Sequence, residues 1–219
     1  EKNKVDAYVD ATSDRALMEN IPAPAPIVKQ ENIASIGVQV LEFENGLKVV
    51  LKPTEFKNDE ILVSAYSLGG SSLYNDNEFK SAEMGSQLVS ESGVNGFSKI
   101  ELEKLLSGKN IRINPYIGST REGFSGNATP KDFETLLQLV NLYFTAPNFN
   151  PESFGSIISK QKMFLPNMLQ DPNTYYRDQV NRIVSQNHIR GGYIPTVEEL
   201  ESLDFDVAQK DYKERFANA

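Results

Sequence analysis

From Val38 the chain carries apolar residues at strand-like spacing, with Val38, Val40, Leu41 and Phe43 before Asn45-Gly46 and Leu47, Val49 and Leu51 after it. Asn-Gly between two such runs predicts a hairpin, because both turn residues tolerate positive φ. Ile61–Leu68 reads as a third strand, and Gly69-Gly70 after it allows a sharp, closely packed turn. Two further alternating runs, Ile111, Ile113, Ile117 and Phe124, Gly126, Ala128, flank the turn Gly118-Ser-Thr-Arg and predict antiparallel neighbours. Pro115 has no amide proton, so its strand belongs at an edge or a bulge.

Elsewhere the period changes to that of a helix. Asp76 is placed to cap a helix with Phe79, Ala82 and Val89 on one side, ending near Gly93. Ser98-Lys-Ile-Glu101 and Thr196-Val-Glu-Glu199 have capping-box spacing, and Leu102, Leu105 and Leu106 follow the first. Thr129-Pro130, Asn150-Pro151 and Asp171-Pro172 each pair a capping side chain with proline at the first helical position, where a missing amide costs nothing. The expected apolar stripes are Phe133, Leu136, Leu137, Val140, Tyr143, Phe144; then Phe154, Ile157, Ile158, Leu165, Met168 with a kink at Pro166; then Tyr175, Tyr176, Val180, Ile183. A last helix starts at Asp204 and carries Phe205, Ala208, Tyr212 and Phe216. Strands followed by helices, each with one apolar face, predict an α+β fold: a mainly antiparallel sheet packed on one side by helices.

Residues 1–36 are different. Ile21-Pro-Ala-Pro-Ala-Pro-Ile favours an extended linker after a short helix over Lys4–Asn20, so the organisation expected is a linker over 1–36 and a domain over 37–219. The 219 residues, 39% apolar, suffice for one sizeable core, and a chain that starts without methionine is expected to be an internal piece of a longer one. The net charge of −8 with no Lys/Arg cluster opposes nucleic-acid binding, and no apolar run approaches the ~20 residues of a membrane span.

Few residues offer chemistry. There is no cysteine, and the single histidine, His188, leaves neither the imidazoles of a zinc site nor a choice of base for a serine nucleophile; it reads as an exposed or helix-terminal histidine. Asp59-Glu60 and Asp204 with Asp206 are acid pairs without the pattern of a calcium loop. Gly69-Gly70-Ser-Ser lacks the lysine of a phosphate loop, and no Gly-x-Ser-x-Gly elbow occurs.

The order of hairpin, glycine pair and helix, with Glu91-Ser-Gly-Val-Asn-Gly-Phe-Ser-Lys-Ile-Glu-Leu, Leu106-Ser-Gly-Lys, Leu142-Tyr-Phe-Thr-Ala-Pro and Asp211-Tyr-Lys-Glu-Arg-Phe, resembles the insulinase/pitrilysin-like M16 zinc metallopeptidases over Val38–Ala219. The resemblance is to the first domain of their second, non-catalytic half. In catalytic M16 domains the helix after the glycine pair carries His-x-x-Glu-His, and a later helix supplies a further glutamate. Here that helix offers Glu78 and Glu83 without an imidazole, and the later one shows Lys160-Gln-Lys162. Both glutamates read as solvent-facing helix charges, so no catalytic or metal residue is assigned, and no substrate-contacting residue is identified.

What the resemblance implies is a non-catalytic domain of a zinc metalloendopeptidase. It would form part of a chamber around peptide substrates, with the zinc in a partner N-terminal half of the same protein and an unfolded peptide enclosed between the halves. The acidic balance would favour basic peptides, and a bacterial relative would sit in the periplasm or cell envelope. The alternative is an M16-like assembly subunit without peptidase activity. A hydrolase acting alone through carboxylates is a third class.

Overall fold

The computed structural model describes residues 15–217, so the expected Lys4–Asn20 helix falls mostly outside the described residues; residues 15–20 form bends. Leu17 from this segment is buried against the main core, and Asn95 Nδ2 donates to its carbonyl at 2.9 Å.

The first sheet has the order β1 (Ile27–Ile33), β2 (Val38–Phe43), β3 (Lys48–Leu51), all antiparallel. The β2–β3 hairpin forms as Asn45-Gly46 predicts, and the Asn45 side chain accepts from the Leu47 N–H at 3.1 Å. Seven residues of the expected, partly extended linker form strand β1, and position 36/37 falls inside the turn joining β1 to β2. The proline run ends at Pro26, and from Ile27 the amides are free to pair.

The expected sheet is also split in two. Pro53 closes β3, and a second sheet of order β4–β6–β5 is built from β4 (Ile61–Leu68), β5 (Ile111–Ile117) and β6 (Arg121–Ala128). Its registers are continuous and antiparallel, with Tyr66 opposite Gly123 and Gly123 opposite Tyr116. Pro115 lies on the β5 edge as anticipated, without a bulge. The fold is therefore α+β, with two small antiparallel sheets in place of one.

Helices α2 (Gly85–Ser92), α4 (Phe133–Thr145) and α8 (Phe205–Phe216) cover one face of the second sheet. Phe124 of β6 is fully buried there, 4.9 Å from the Phe144 ring and 5.3 Å from Phe216, which stacks on Tyr212 at 4.4 Å. The Tyr212 hydroxyl donates to the Tyr143 carbonyl, so this buried phenol has a partner.

The capping signals act largely as read. Ser98 opens α3 (Lys99–Leu105) and Thr196 opens α7 (Val197–Glu201) with complete capping boxes. Asn150, Asp171 and Asp204 cap α5 (Pro151–Gln170), α6 (Pro172–Val184) and α8. Three details differ. Thr129 makes no cap; it donates to Asp132, and a 3₁₀ turn over Pro130–Asp132 precedes α4. The single helix expected from Asp76 is two, α1 (Asp76–Ala82) and α2, broken at Glu83-Met84 where α8 crosses. Gly85 permits that crossing, since a Cβ there would stand 2.9 Å from the Ala208 carbonyl oxygen. Finally, α6 is turned over: Tyr175, Tyr176, Val180 and Ile183 face outward, and Asp178 is the buried residue.

Candidate functional site

The segment that would carry the metal site runs from the glycine pair through α1 to α2. Gly70 has φ +60°, and a Cβ there would lie 2.3 Å from the Gly118 carbonyl oxygen, so the chain turns against the β5–β6 loop at backbone contact. The amides that a phosphate would need are already used. Gly70 N–H donates to the buried Glu122 carboxylate, Ser71 N–H to Gly118 O and Ser72 N–H to Ser119 O, both at 2.8 Å.

Asn75, not Asp76, stands at the cap position of α1. The Asp76 carboxylate accepts instead from Arg190 Nε at 2.7 Å, and this hydrogen bond holds its carboxyl below the ordinary carboxylate range. Arg190 also donates to the Ser71 carbonyl at 2.8 Å and to the Tyr74 carbonyl, with its guanidinium over the Phe79 ring. His188, the sole histidine, is exposed with Nε2 3.6 Å from Asp76. It belongs to a clamp between the α6–α7 loop and the start of α1, a role set by tertiary packing.

Each candidate acid has an ordinary role. Glu78 is half-buried and accepts from Lys210 of α8 at 3.1 Å, which corrects its reading as a solvent-facing charge; Glu83 is exposed at the helix break. Glu60 pairs with Lys57 and accepts from Asn127, with Asp59 exposed beside it, while Asp204 caps α8 and Asp206 lies in that helix's first turn. Lys162 pairs with Glu201 of α7, and Lys160 is exposed. Among the described residues no three His, Cys, Asp or Glu side chains come together as metal ligands.

Two buried carboxylates stand apart from the candidate acids named from the sequence. Asp178 is buried on the inner side of α6, accepting from Arg182 Nε at 2.9 Å and Ile194 N–H at 2.7 Å. Burial pushes its carboxyl up, but these hydrogen bonds outweigh burial and leave it below the ordinary value. Asp211 of α8 has the opposite balance: its Oδ2 is buried without a partner, and burial raises the carboxyl. The Tyr74 hydroxyl and Arg215 Nε are likewise buried and unpartnered, and Asp211 adds to the upward shift of the Tyr74 phenol.

The glycine turn, broken helix and helical cover on one sheet face define an M16-peptidase-like α+β domain. The comparisons agree. No protein-family profile matches the sequence. It is 27% identical over 164 residues to a zinc protease PQQL-like protein of Arabidopsis thaliana, covering 74% of this chain and 14% of that one. In structure it resembles the periplasmic protease PqqL of Escherichia coli with a TM-score of 0.75, at 19% identity over 98% of this chain and 23% of PqqL. The ferredoxin protease FusC, solved with Arabidopsis ferredoxin, matches at a TM-score of 0.68, with 17% identity over 92% of this chain and 23% of FusC. The chain shares the fold of these M16-type proteases, and it spans less than a quarter of the length of these three relatives.

The zinc named for the Arabidopsis relative does not fit the residues here. Zinc takes three or four imidazole, thiolate or carboxylate ligands within one coordination sphere. The α1–α2 segment supplies one glutamate committed to Lys210, one exposed glutamate and no imidazole, and the single histidine, His188, lies in the α6–α7 loop with only Asp76 beside it at 3.6 Å.

Proposed function

We propose that this chain is a non-catalytic domain from the C-terminal half of a zinc metalloendopeptidase, forming part of the wall that encloses an unfolded peptide. The observation that carries this reading is the M16-like α1–α2 segment, intact in fold, whose side chains tie α1 to α8 and to the Arg190 loop where ligands would project. Its contribution is confinement and orientation: holding a peptide near chemistry done elsewhere lowers the entropic part of the barrier. The partner is an N-terminal catalytic half of the same protein, which holds the zinc, and the residues preceding β1 connect the two halves. The periplasm is the compartment this reading adopts, because PqqL is a periplasmic protease.

Metal analysis and cleavage of fluorogenic unfolded peptides test this, on the chain alone and on its parent protein. The expected result is no stoichiometric zinc and no cleavage for the chain, and both for the parent. Zinc bound one to one by the chain, or turnover by it, would sink the reading. A parent without zinc and without a His-x-x-Glu-His helix would replace it with the assembly-subunit role.

A further inference from the structure

Asn-Gly occurs twice in the chain, at Asn45-Gly46 and Asn95-Gly96, and the structure holds the two pairs in opposite ways. The carbonyl carbon of an asparagine side chain can be attacked by the backbone nitrogen of the next residue, and glycine there has no Cβ to hinder the ring closure. The reaction needs a following N–H that can leave its hydrogen bond, a side-chain amide free to turn toward that nitrogen, and room for both to meet.

At Asn95 these conditions are denied. Its Nδ2, the leaving group, donates to the Leu17 carbonyl at 2.9 Å, and its own N–H donates to the Ala146 carbonyl at 2.7 Å. The Gly96 N–H, on the attacking nitrogen, donates to Asn148 Oδ1 at 3.0 Å. Asn148 is itself fixed, since its Nδ2 donates to the Phe97 carbonyl at 2.8 Å. Arg15 covers the turn, donating to the Asn95 carbonyl with its guanidinium 3.8 Å from the centre of the Phe97 ring. Release of either group requires local unfolding of a loop whose flanking Val94 and Phe97 are buried.

Asn45 stands at the tip of the β2–β3 hairpin, where Glu44, Gly46 and Leu47 are exposed as well. Its Oδ1 accepts from the Leu47 N–H at 3.1 Å, and among the described residues nothing accepts from its Nδ2. The Leu47 bond favours reaction: negative charge develops on Oδ1 as Cγ is attacked, and a backbone donor already points at it. Nothing lies within 4 Å of the position a Gly46 Cβ would take, so the turn is uncrowded. The restraint on the nitrogen is a single turn bond, Gly46 N–H to the Phe43 carbonyl at 2.9 Å, at an exposed tip where local opening costs little.

We propose that Asn45 is a deamidation site of this chain and that Asn95 is protected from the same reaction. Water and hydroxide are the only co-reactants. The Gly46 nitrogen gives its proton to hydroxide and bonds to Asn45 Cγ; the Cγ–Nδ2 bond breaks, and Nδ2 leaves as ammonia with a proton from water. The product is a five-membered succinimide, and water then opens it. Cleavage between the Gly46 nitrogen and Cγ gives aspartate; cleavage between that nitrogen and the main-chain carbonyl carbon gives isoaspartate. No atom is oxidised or reduced. Aspartate keeps an acceptor for the Leu47 N–H and adds a negative charge beside Glu44. Isoaspartate lengthens the main chain by one carbon within the tight turn, which strains the Gly46–Phe43 and Phe43–Leu47 backbone bonds that close the hairpin.

Peptide mapping by mass spectrometry, after incubation of the folded chain at mildly alkaline pH, tests the proposal; chromatography separates the aspartate and isoaspartate peptides. Asn45 should convert at least about tenfold faster than Asn95, at a rate that rises with hydroxide concentration. In urea, with both turns unfolded, the two sites should convert at similar rates. Asn148→Ala releases the Gly96 amide and should speed conversion of Asn95 at least about threefold while leaving Asn45 unchanged, with circular dichroism to confirm the fold. If that variant does not fold, the comparison of wild type with and without urea decides alone. Equal rates at the two sites in the folded chain overturn the proposal, as does an Asn45 that stays intact when folded and converts only in urea. A rate difference that persists in urea also overturns it, because the flanking sequence and not the fold would then set the difference.

Discussion

Asp178 decides which way α6 faces, and removing it should cost the chain about 2–4 kcal/mol. Its carboxylate is almost wholly buried and receives hydrogen bonds from the Arg182 guanidinium at 2.9 Å and the Ile194 amide at 2.7 Å, with a longer one from the Gln179 side chain at 3.3 Å. Hydrogen bonds to a charged group contribute about 1.5–3 kcal/mol each, and truncation also strands their donors. Arg182 keeps part of its solvation, with a quarter of its side chain exposed, and it donates to the Ile194 carbonyl at 2.6 Å besides. That brings the sum for Asp178→Ala to the stated range. Asp178→Asn retains an acceptor for the Ile194 amide but removes the charge facing Arg182, so it should cost about half as much.

The measurement is urea unfolding followed by far-ultraviolet circular dichroism, with hydrogen exchange at the Ile194 amide as the local readout. The Asp178 carboxyl lies below its unfolded value of about 3.9, so its stabilisation is present above that pH and is lost as pH falls through the lower folded value. Wild type should therefore shed this contribution only below about pH 4, and Asp178→Ala should show none of that loss. A cost under ~0.5 kcal/mol, within the range of ordinary surface substitutions, would refute the reasoning. Unchanged protection at Ile194 would do the same.

Gly70→Ala should destabilise by more than ~2 kcal/mol and lower the melting temperature by several degrees, because its φ is +60° and a Cβ would meet the Gly118 carbonyl oxygen at 2.3 Å. Phe124→Ala should cost about 3–5 kcal/mol and weaken the near-ultraviolet dichroism of the rings around it; a loss below ~1 kcal/mol would mean the core is not centred there. Asp211→Asn should stabilise the chain more at pH 8 than at about pH 3, below the unfolded carboxylate value. Burial raises the wild-type carboxyl, so wild type loses stability as pH rises through the interval above ~3.9, and parallel pH profiles for the two proteins would contradict this.

Local signals with a covalent or steric basis could be read from the chain directly. Asn45-Gly46, the capping boxes at Ser98 and Thr196, and the Asn150-Pro151 and Asp171-Pro172 starts all produce the elements they predict, because each acts within a few residues. The α4 stripe was right in register but incomplete: Leu139 and Leu142 are buried with Leu136 and Tyr143, whereas Leu137 is half-exposed. The errors concern partners. Nothing between Leu51 and Ile61 tells that β3 and β4 belong to different sheets, or that β1 precedes them. The roles of Arg190, Asp178 and Asp211 are not legible in the chain, because a charge on a helix or loop has the same pattern whether it is solvated or buried.

The apolar periodicity of α6 was correct, and the inference that it points into this domain's core was not. A period of 3.6 shows that one side of a helix is apolar; it says nothing about which body will cover that side. In this chain the inner surface is committed to a buried carboxylate, an arginine and the backbone of residues 192–194, so the helix can be anchored only through its polar side. An amphipathic helix anchored this way leaves its apolar stripe for something outside the fold. The same residues that give α6 its place in the domain thus create the exposed surface.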